Sequence, residues 1–230
     1  MSPSPEASVL TPELREQADA IVAKYPNSRS AVLPLLFLVQ SVEGHVTDRG
    51  MREVADILEL TPAQVLAAAS FYTMLKKEPQ GTYLVSVCRN IACTHLGGRE
   101  IIGALEKRLG IKAGQTTADG KFSLEAAECL ATCDGAPSAQ VNYEDFYNLT
   151  HESAVELVDR LERGEKLTSV RGETVKDSRA ISLEVAQAGV RLPHGEVEDL
   201  RTIGGETPRA DTAPGFRPKV EGHKRDSSDA

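Results

Sequence analysis

The sequence of 230 residues is long enough for one to two domains and for a core that needs no disulfide staples. Hydrophobic residues make up 40% and charged residues 26%, the composition of an ordinary globular protein, although Trp is absent and aromatics are few. Acidic residues outnumber basic ones 34 to 26, and the formal charge of −8 repels phosphate backbones, so we expect no nucleic-acid partner.

No targeting or membrane-spanning segment is evident in the sequence. The first 13 residues lack a cationic start and an apolar stretch of secretory length, and the longest apolar run, 31–39, is interrupted by Pro34. We therefore expect a cytoplasmic protein without direct membrane insertion. In that reducing compartment, cysteines are more often metal ligands or redox groups than disulfides.

Residues 1–78 predict an N-terminal helical region. Thr11 is a candidate helix cap, with Pro12 in the first helical position. Further apolar helices are predicted over about 30–42 and 48–58. Thr61-Pro62-Ala63-Gln64 matches a capping box that opens a fourth helix, so this part of the chain is predicted to form a small helical bundle.

Residues 79–170 predict a small α/β domain, because the apolar period changes after Pro79 and β-branched residues become frequent. The expected elements are a strand over 82–88, a helix after Gly97-Gly98, a strand over 122–128 behind an Asp119-Gly120 turn, a strand over 138–141, a turn near 142–145, and a helix from Thr150 to Gly164.

Residues 171–230 predict an extended or disordered tail. This segment holds seven Gly, four Pro and one aromatic residue, Phe216, which is too little apolar material for an independent core. We expect it to lie along a partner protein and to bury scattered apolar anchors there. The proposed anchors are Ile181, Leu183, Val190, Leu192, Leu200, Ile203 and Phe216.

The chain has four cysteines, and they form two pairs. Cys88 and Cys93 have C-x4-C spacing, Cys129 and Cys133 have C-x3-C spacing, and 35 residues separate the pairs. Each pair begins where a predicted strand ends. If those strands are neighbours, all four thiols lie at one edge of a sheet, where four thiolates can hold a metal centre.

Several kinds of centre compete for these cysteines. Structural zinc prefers tighter knuckles in loops that do not fold without metal, whereas the surrounding domain here is adequately apolar. Two disulfides are less favoured in a cytoplasmic chain of this size. A thioredoxin-type dithiol requires C-x-x-C, which does not occur. An iron–sulfur cluster accepts irregular spacing and is the favoured interpretation.

The spacing alone leaves the number of irons open, although two pairs suit a two-iron cluster in which each pair holds one iron. Gly97, Gly98 and Gly135 allow backbone N–H groups to approach the sulfurs, and equally fit simple turns. His95 is a conceivable Rieske-type ligand, but no second His is near, so we expect a loop residue.

No catalytic constellation and no nucleotide motif is apparent. Neither a GxGxxG nor a Walker A pattern occurs in the sequence. The chain is therefore predicted to be an electron carrier that depends on another protein for substrate chemistry.

Three motifs can be read in the sequence: Phe71-Tyr72-Thr73-Met74, Val87-Cys88-Arg89-Asn90-Ile91-Ala92-Cys93, and Glu128-Cys129-Leu130-Ala131-Thr132-Cys133-Asp134-Gly135-Ala136-Pro137. Together they resemble the E-subunit family of respiratory NADH:quinone oxidoreductase (complex I), the thioredoxin-like [2Fe–2S] ferredoxins. The resemblance covers about residues 11–165 and includes Tyr25-Pro26, Gln40 and Thr116-Thr117.

The resemblance implies a helical N-terminal region, a thioredoxin-like domain, and one [2Fe–2S] cluster on Cys88, Cys93, Cys129 and Cys133. It implies docking onto the subunit that binds FMN and NADH, and contact with other subunits of the peripheral arm of complex I. The cluster would take single electrons from the flavin. The protein would then be held at the inner face of the plasma membrane through the complex.

Two kinds of alternative remain at this point. The same module resembles parts of NAD-linked hydrogenases and formate dehydrogenases, so the motifs do not define the host complex. A zinc-stabilised interaction module without a redox role is the alternative of a different class. A red-brown chain with two irons and two acid-labile sulfides would favour the electron carrier over a colourless zinc protein.

Overall fold

The helices of the N-terminal region begin where local capping predicts. A computed structural model describes residues 8–188 of the protein. Helix α1 (Pro12–Val22) begins after Thr11, whose hydroxyl accepts a hydrogen bond from the backbone N–H of Leu14. Helix α3 (Asp48–Leu58) has the predicted bounds, and α4 (Pro62–Phe71) opens with the predicted capping box.

Helix α2 (Val32–Glu43) is the centre of this region. It starts two residues later than predicted because Ser28–Ala31 form a 3-10 turn, and Pro34 lies in its first turn as expected. Its buried residues run without interruption from Leu35 to Gln40. A helix that is apolar all round must be covered on several sides, and α1, α3, α4 and a further helix, α8 (Ser178–Ala188), contact it.

The presence of α8 corrects the prediction for the C-terminal segment. The expectation of extended or disordered chain from residue 171 is wrong for Ser178–Ala188, which is helical and packs on α2. Ala186 is fully buried in the helical core and Leu183 packs against it, so Leu183 is an anchor within this chain. The average composition of 60 residues concealed this short apolar segment, which α2 stabilises by burying it.

The predicted tail beyond residue 188 lies outside the described residues. It includes the proposed anchors Val190, Leu192, Leu200, Ile203 and Phe216. The expected division at residues 78 and 170 stays a prediction, and all described residues belong to one compact unit.

Four strands form the sheet of the second region, in the order β2-β1-β3-β4. Strands β1 (Tyr83–Cys88) and β2 (Phe122–Ala127) are parallel neighbours, so their carboxyl ends lie at the same edge of the sheet. Strand β3 (Ala139–Val141) pairs antiparallel with β1, and β4 (Glu144–Phe146) pairs antiparallel with β3. Strand β4 was not predicted.

The missed strand follows a tight turn. Asn142 and Tyr143 have φ values of 49° and 70°, the left-handed pair typical of a two-residue hairpin turn. The Asn142 side chain accepts a hydrogen bond from the N–H of Leu84 at 2.7 Å and donates to the carbonyls of Thr82 and Lys176. The predicted turn near 142–145 is therefore shorter than expected and leads directly into β4.

Three helices complete this region. Helix α5 (Ile91–His95) is short and was not predicted, α6 (Gly98–Leu109) begins at the predicted glycines, and α7 (His151–Glu162) is capped by Thr150 as expected. Helices α6 and α7 pack together, and their apolar residues share one core with one face of the sheet. The largest side chains of this core that are almost fully buried are Ile101, Leu105, Phe122, Leu124 and Leu161.

No single helix within residues 8–188 has the length and apolar character to cross a membrane. The bent pair of Asp48–Leu58 and Pro62–Phe71 reaches the necessary length and apolar composition only when the two helices are taken together.

The buried side chain of Gln40 joins three parts of the helical region. Its Nε2 donates to the carbonyl of Met74 at 3.1 Å and to the hydroxyl of Ser182 on α8 at 3.0 Å. Its Oε1 accepts from the backbone N–H of Lys76 at 2.7 Å. One amide thus satisfies groups on α8 and on the segment after α4.

Replacing Gln40 by Ala is expected to lower the free energy of unfolding by about 1–3 kcal/mol, because buried partners lose their hydrogen bonds. Urea unfolding followed by circular dichroism measures the change. Gln17→Ala is the matched control, since Gln17 is exposed on α1 and should change stability by no more than about 0.5 kcal/mol. Equal midpoints for the two variants would contradict the role given to Gln40.

Candidate metal centre

The two cysteine pairs lie at the carboxyl end of the parallel strand pair. The last residues of β1 and β2 in register are Cys88 and Ala127, and the N–H of Arg89 donates to the Ala127 carbonyl at 2.9 Å. Cys129 follows two residues after Ala127. An ion pair between Arg89 and Glu128 joins the same two strand ends. The strands that precede the two pairs are thus neighbours, which is the condition under which all four thiols lie at one edge of the sheet.

The first pair is held together by the close approach of α6. After Cys88, the Asn90 side chain caps α5, and Cys93 lies in the middle of that helix. A methyl group placed at Gly98 would lie 2.8 Å from the Cys93 carbonyl oxygen and 2.9 Å from that of Cys88. Only glycine allows both cysteine backbones to meet the start of α6 this closely.

The second pair lies in a loop followed by a 3-10 turn (Cys133–Gly135). The N–H of Ala131, a residue with φ of 57°, donates to the Cys129 sulfur at 3.3 Å. The ring of Tyr147 packs directly against Gly135, where there is no room for a Cβ atom. The N–H of Asn148 also donates to the Gly135 carbonyl at 2.8 Å. The segment after β4 thus supports the loop that carries Cys133.

Ser138 connects the segments that carry the cysteines. Its carbonyl accepts from the N–H of Cys88 at 3.1 Å, and its hydroxyl lies 3.6 Å from the Cys93 sulfur. The same hydroxyl lies 2.6 Å from that of Thr132, the residue before Cys133. Ser138 is fully buried at this junction. Sequence reasoning identified it only as the start of a strand, because its neighbours are distant in the chain.

The four cysteines differ in exposure. Cys88 and Cys93 are 3% and 2% exposed, whereas Cys129 and Cys133 are exposed, and all four are free thiols. Within residues 8–188, no three side chains of His, Cys, Asp or Glu are grouped to hold a single metal ion. The structure gathers the segments without closing the sulfurs around one ion. Four free thiols in two pairs are the donor set that a two-iron cluster takes.

The three glycines near the cysteines have structural roles: two allow close packing and one adopts a left-handed backbone conformation. Gly98 and Gly135 make the close approaches described above, and Gly97 has a φ of 105° at the start of α6. Among the described contacts, none places their N–H groups on a sulfur. His95, expected in a loop, ends α5 and is exposed.

The fold and the donor set define a class of protein: a small α/β domain whose sheet ends at four free cysteines, as in cysteine-ligated metal proteins. Residues 18–162 match the family model of the thioredoxin-like [2Fe-2S] ferredoxins. The chain belongs to this family.

Curated relatives in several bacteria include E subunits of NADH-quinone oxidoreductase. The one from Mycobacterium tuberculosis (strain ATCC 25618 / H37Rv) is 47% identical over 159 residues, which cover 69% of this chain and 63% of that protein. The E 2 protein of Rhizobium meliloti (strain 1021) is 37% identical over 68% of this chain and 94% of its own length. The relative in Escherichia coli (strain K12) is 34% identical over 69% and 95%. The match spans under two thirds of the mycobacterial protein's length.

A crystal structure of an NAD+-reducing [NiFe]-hydrogenase is also similar, with a TM-score of 0.46 and 24% identity over 50% of this chain and 20% of that chain.

Replacing Gly98 by Ala is expected to destabilise the protein by about 1–3 kcal/mol, because the new methyl group displaces the carbonyls of both inner cysteines. The buried thiols of Cys88 and Cys93 should then react faster with a thiol reagent. Urea unfolding and the rate of thiol labelling measure the two effects.

Gly103→Ala on the same helix is the control. No atom lies within 4 Å of a methyl group there, so helix propensity should stabilise this variant by about 0.5–1 kcal/mol. If both variants had the same stability and labelling rate, the contact between α6 and the cysteines would not be structurally important.

Proposed function

We propose that the chain is an electron-transfer subunit of an NADH:quinone oxidoreductase. It carries one [2Fe–2S] cluster on Cys88, Cys93, Cys129 and Cys133, and exchanges single electrons with the FMN of a partner subunit. The observation that supports this most directly is the meeting of the cysteine-bearing segments around Ser138. The names of relatives at 34–47% identity favour complex I as the host over a hydrogenase or a formate dehydrogenase.

The residues around the cysteines suit such a role. When bound, the cluster supplies reversible one-electron storage. Ser138 directs a hydroxyl at the Cys93 sulfur, and a hydrogen bond to a ligand sulfur stabilises negative charge on it. Cys88 and Cys93 lie in the protein interior, whereas Cys129 and Cys133 face outward. Electrons would therefore enter and leave on the side of the second pair.

An exposed apolar rim next to the cysteines supports docking onto a partner. Ile91 is 74% exposed and Leu96 is 60% exposed, at the two ends of the short helix that carries Cys93. Large apolar side chains of this exposure, beside a site that must approach a second redox group, are typical of an interaction surface. The partner is the subunit that binds FMN and NADH, together with other subunits of the peripheral arm.

The cellular location follows from this assembly. The chain would be cytoplasmic and would associate with the inner face of the plasma membrane only through the complex. NADH and FMN bind the partner, so the pure chain is not expected to oxidise NADH.

Each of the four Cys→Ala variants is expected to lose the cluster, because a three-thiolate set leaves one iron incompletely ligated. Iron and acid-labile sulfide content and the low-temperature EPR signal of the reduced chain measure this. His95→Ala is the control and should keep two irons and two sulfides. A cysteine variant with an unchanged signal would remove that residue from the ligand set, and a colourless wild-type chain containing zinc would refute the proposal.

The variant Ile91→Glu/Leu96→Glu is expected to weaken retention of the flavoprotein subunit at least tenfold, about 1.4 kcal/mol, because charge replaces apolar contact area. Co-purification at matched salt and protein concentration measures retention, while the EPR signal of the chain should not change. Val170→Glu, at a position 52% exposed beside β4, is the control for an added charge. Equal retention of all three proteins would argue against docking through α5.

A further inference from the structure

A row of polar residues crosses all four strands on one face of the sheet. Ser86 on β1 is in register with Glu125 on β2 and with Gln140 on β3, and Gln140 is in register with Asp145 on β4. Neighbours in register lie on the same face, so these four side chains form a continuous line. We call them the polar row.

Hydrogen bonds and two basic residues complete the polar row. The Ser86 hydroxyl donates to Glu125 at 2.7 Å, and Gln140 Nε2 donates to Asp145 at 2.8 Å. Lys76 Nζ lies 3.3 Å from Glu125 Oε1 at one end, and Arg171 Nε lies 2.8 Å from Asp145 at the other. Each carboxylate in the row therefore has one cationic partner.

The polar row lies beside the cysteine end of the sheet. Successive side chains of a strand point to opposite faces, so Cys88 projects from the same face as Ser86, one strand repeat of about 6.6 Å further on. The opposite face carries Val85 and Val87, which pack into the core with α6 and α7. The ion pair of Lys76 with Glu125 thus lies on the face of the sheet from which Cys88 projects.

Lys76 comes from the helical region and is held in place there. Its backbone N–H donates to Gln40 Oε1, and its side chain is only 16% exposed, against 38% for Glu125. Burial, and the negative charge of Glu125, raise the pKa of Tyr143 to about 12. The field of Glu125 therefore reaches other groups, because water screens these partly buried charges incompletely.

We infer that Lys76 and Glu125 adjust the reduction potential of the cluster, Glu125 lowering it and Lys76 raising it; this rests on the proposed function. In the oxidised cluster, two ferric ions carry six positive charges against eight negative charges on two sulfides and four thiolates. Reduction takes up one electron from an external donor and adds one negative charge. A fixed carboxylate opposes that added charge, and a fixed ammonium group favours it. Both act through space as positioning charges, without touching iron.

The test is an EPR-monitored redox titration of the purified full chain, with dithionite as reductant, at fixed pH and ionic strength. Glu125→Gln keeps an acceptor for Ser86 and should raise the midpoint potential. Lys76→Met removes the cationic partner of Glu125 and should lower the midpoint potential. Each shift should correspond to a change of roughly three- to tenfold in the equilibrium constant for reduction. A tenfold change in that constant equals a shift of about 59 mV in the midpoint potential for one electron. The double variant should return toward the wild-type value.

Two further variants separate this effect from structural damage. Glu106→Gln makes the same charge change in the ion pair of Glu106 with Lys112, whose side chains are 21% and 77% exposed. Glu106 lies two turns of α6 beyond Gly98, about 12 Å along the helix, so this variant should not move the potential. Lys76→Arg keeps the positive charge and should restore the wild-type potential. If Glu125→Gln lost its cluster, the comparison of Lys76→Met with Lys76→Arg would decide the question alone.

Opposite shifts from the two single variants support the inference, because loosening of the fold would not change sign with the charge removed. Shifts of the same sign, or shifts no larger than that of Glu106→Gln, overturn it while the cluster signal remains normal. A wild-type chain without a [2Fe–2S] signal overturns the proposed function, and this inference with it.

Discussion

The parallel pairing of β1 with β2 is the constraint on which the candidate metal centre depends. Parallel strands end at the same edge of a sheet, and a helical crossover must connect them, here including α6. The pairing runs to Cys88 and Ala127, so both cysteine pairs emerge at one place. A slip of one residue would turn Cys88 toward the apolar core under α6 and α7. Packing of Val85 and Val87 in that core therefore also orients the first cysteine.

Around that edge, the packing gives the two cysteine pairs different surroundings. The first pair is enclosed by α5, by the start of α6 at Gly98, and by the buried hydroxyl of Ser138. The second pair lies in an open loop supported from behind by the ring of Tyr147. The first pair is thus buried, while the second pair is exposed. Such asymmetry agrees with the proposed exchange of electrons across one surface.

The helical region and the sheet are joined by two short segments. The segment after α4 places Lys76 between Gln40 and Glu125, and the segment before α8 passes beside Asn142 at the β3–β4 turn. Helix α8 then returns to α2 and buries Ala186 there. Chain from after residue 170 therefore contributes to the core of the N-terminal helices. The described residues fold as one compact unit for this reason.

Local features of the sequence determined where helices and turns begin. The helix starts after Thr11 and at Thr61 could be predicted because capping involves residues only three or four positions apart. The cysteine pairs were visible as spacings. The place of α8 and the junction at Ser138 were decided only in the tertiary structure. Gln40 bonds to Ser182 on α8 across 142 positions of the chain, and Cys93 contacts Ser138 across 45 positions. Which apolar or polar groups meet over such separations depends on how the whole core packs, and no local pattern encodes it.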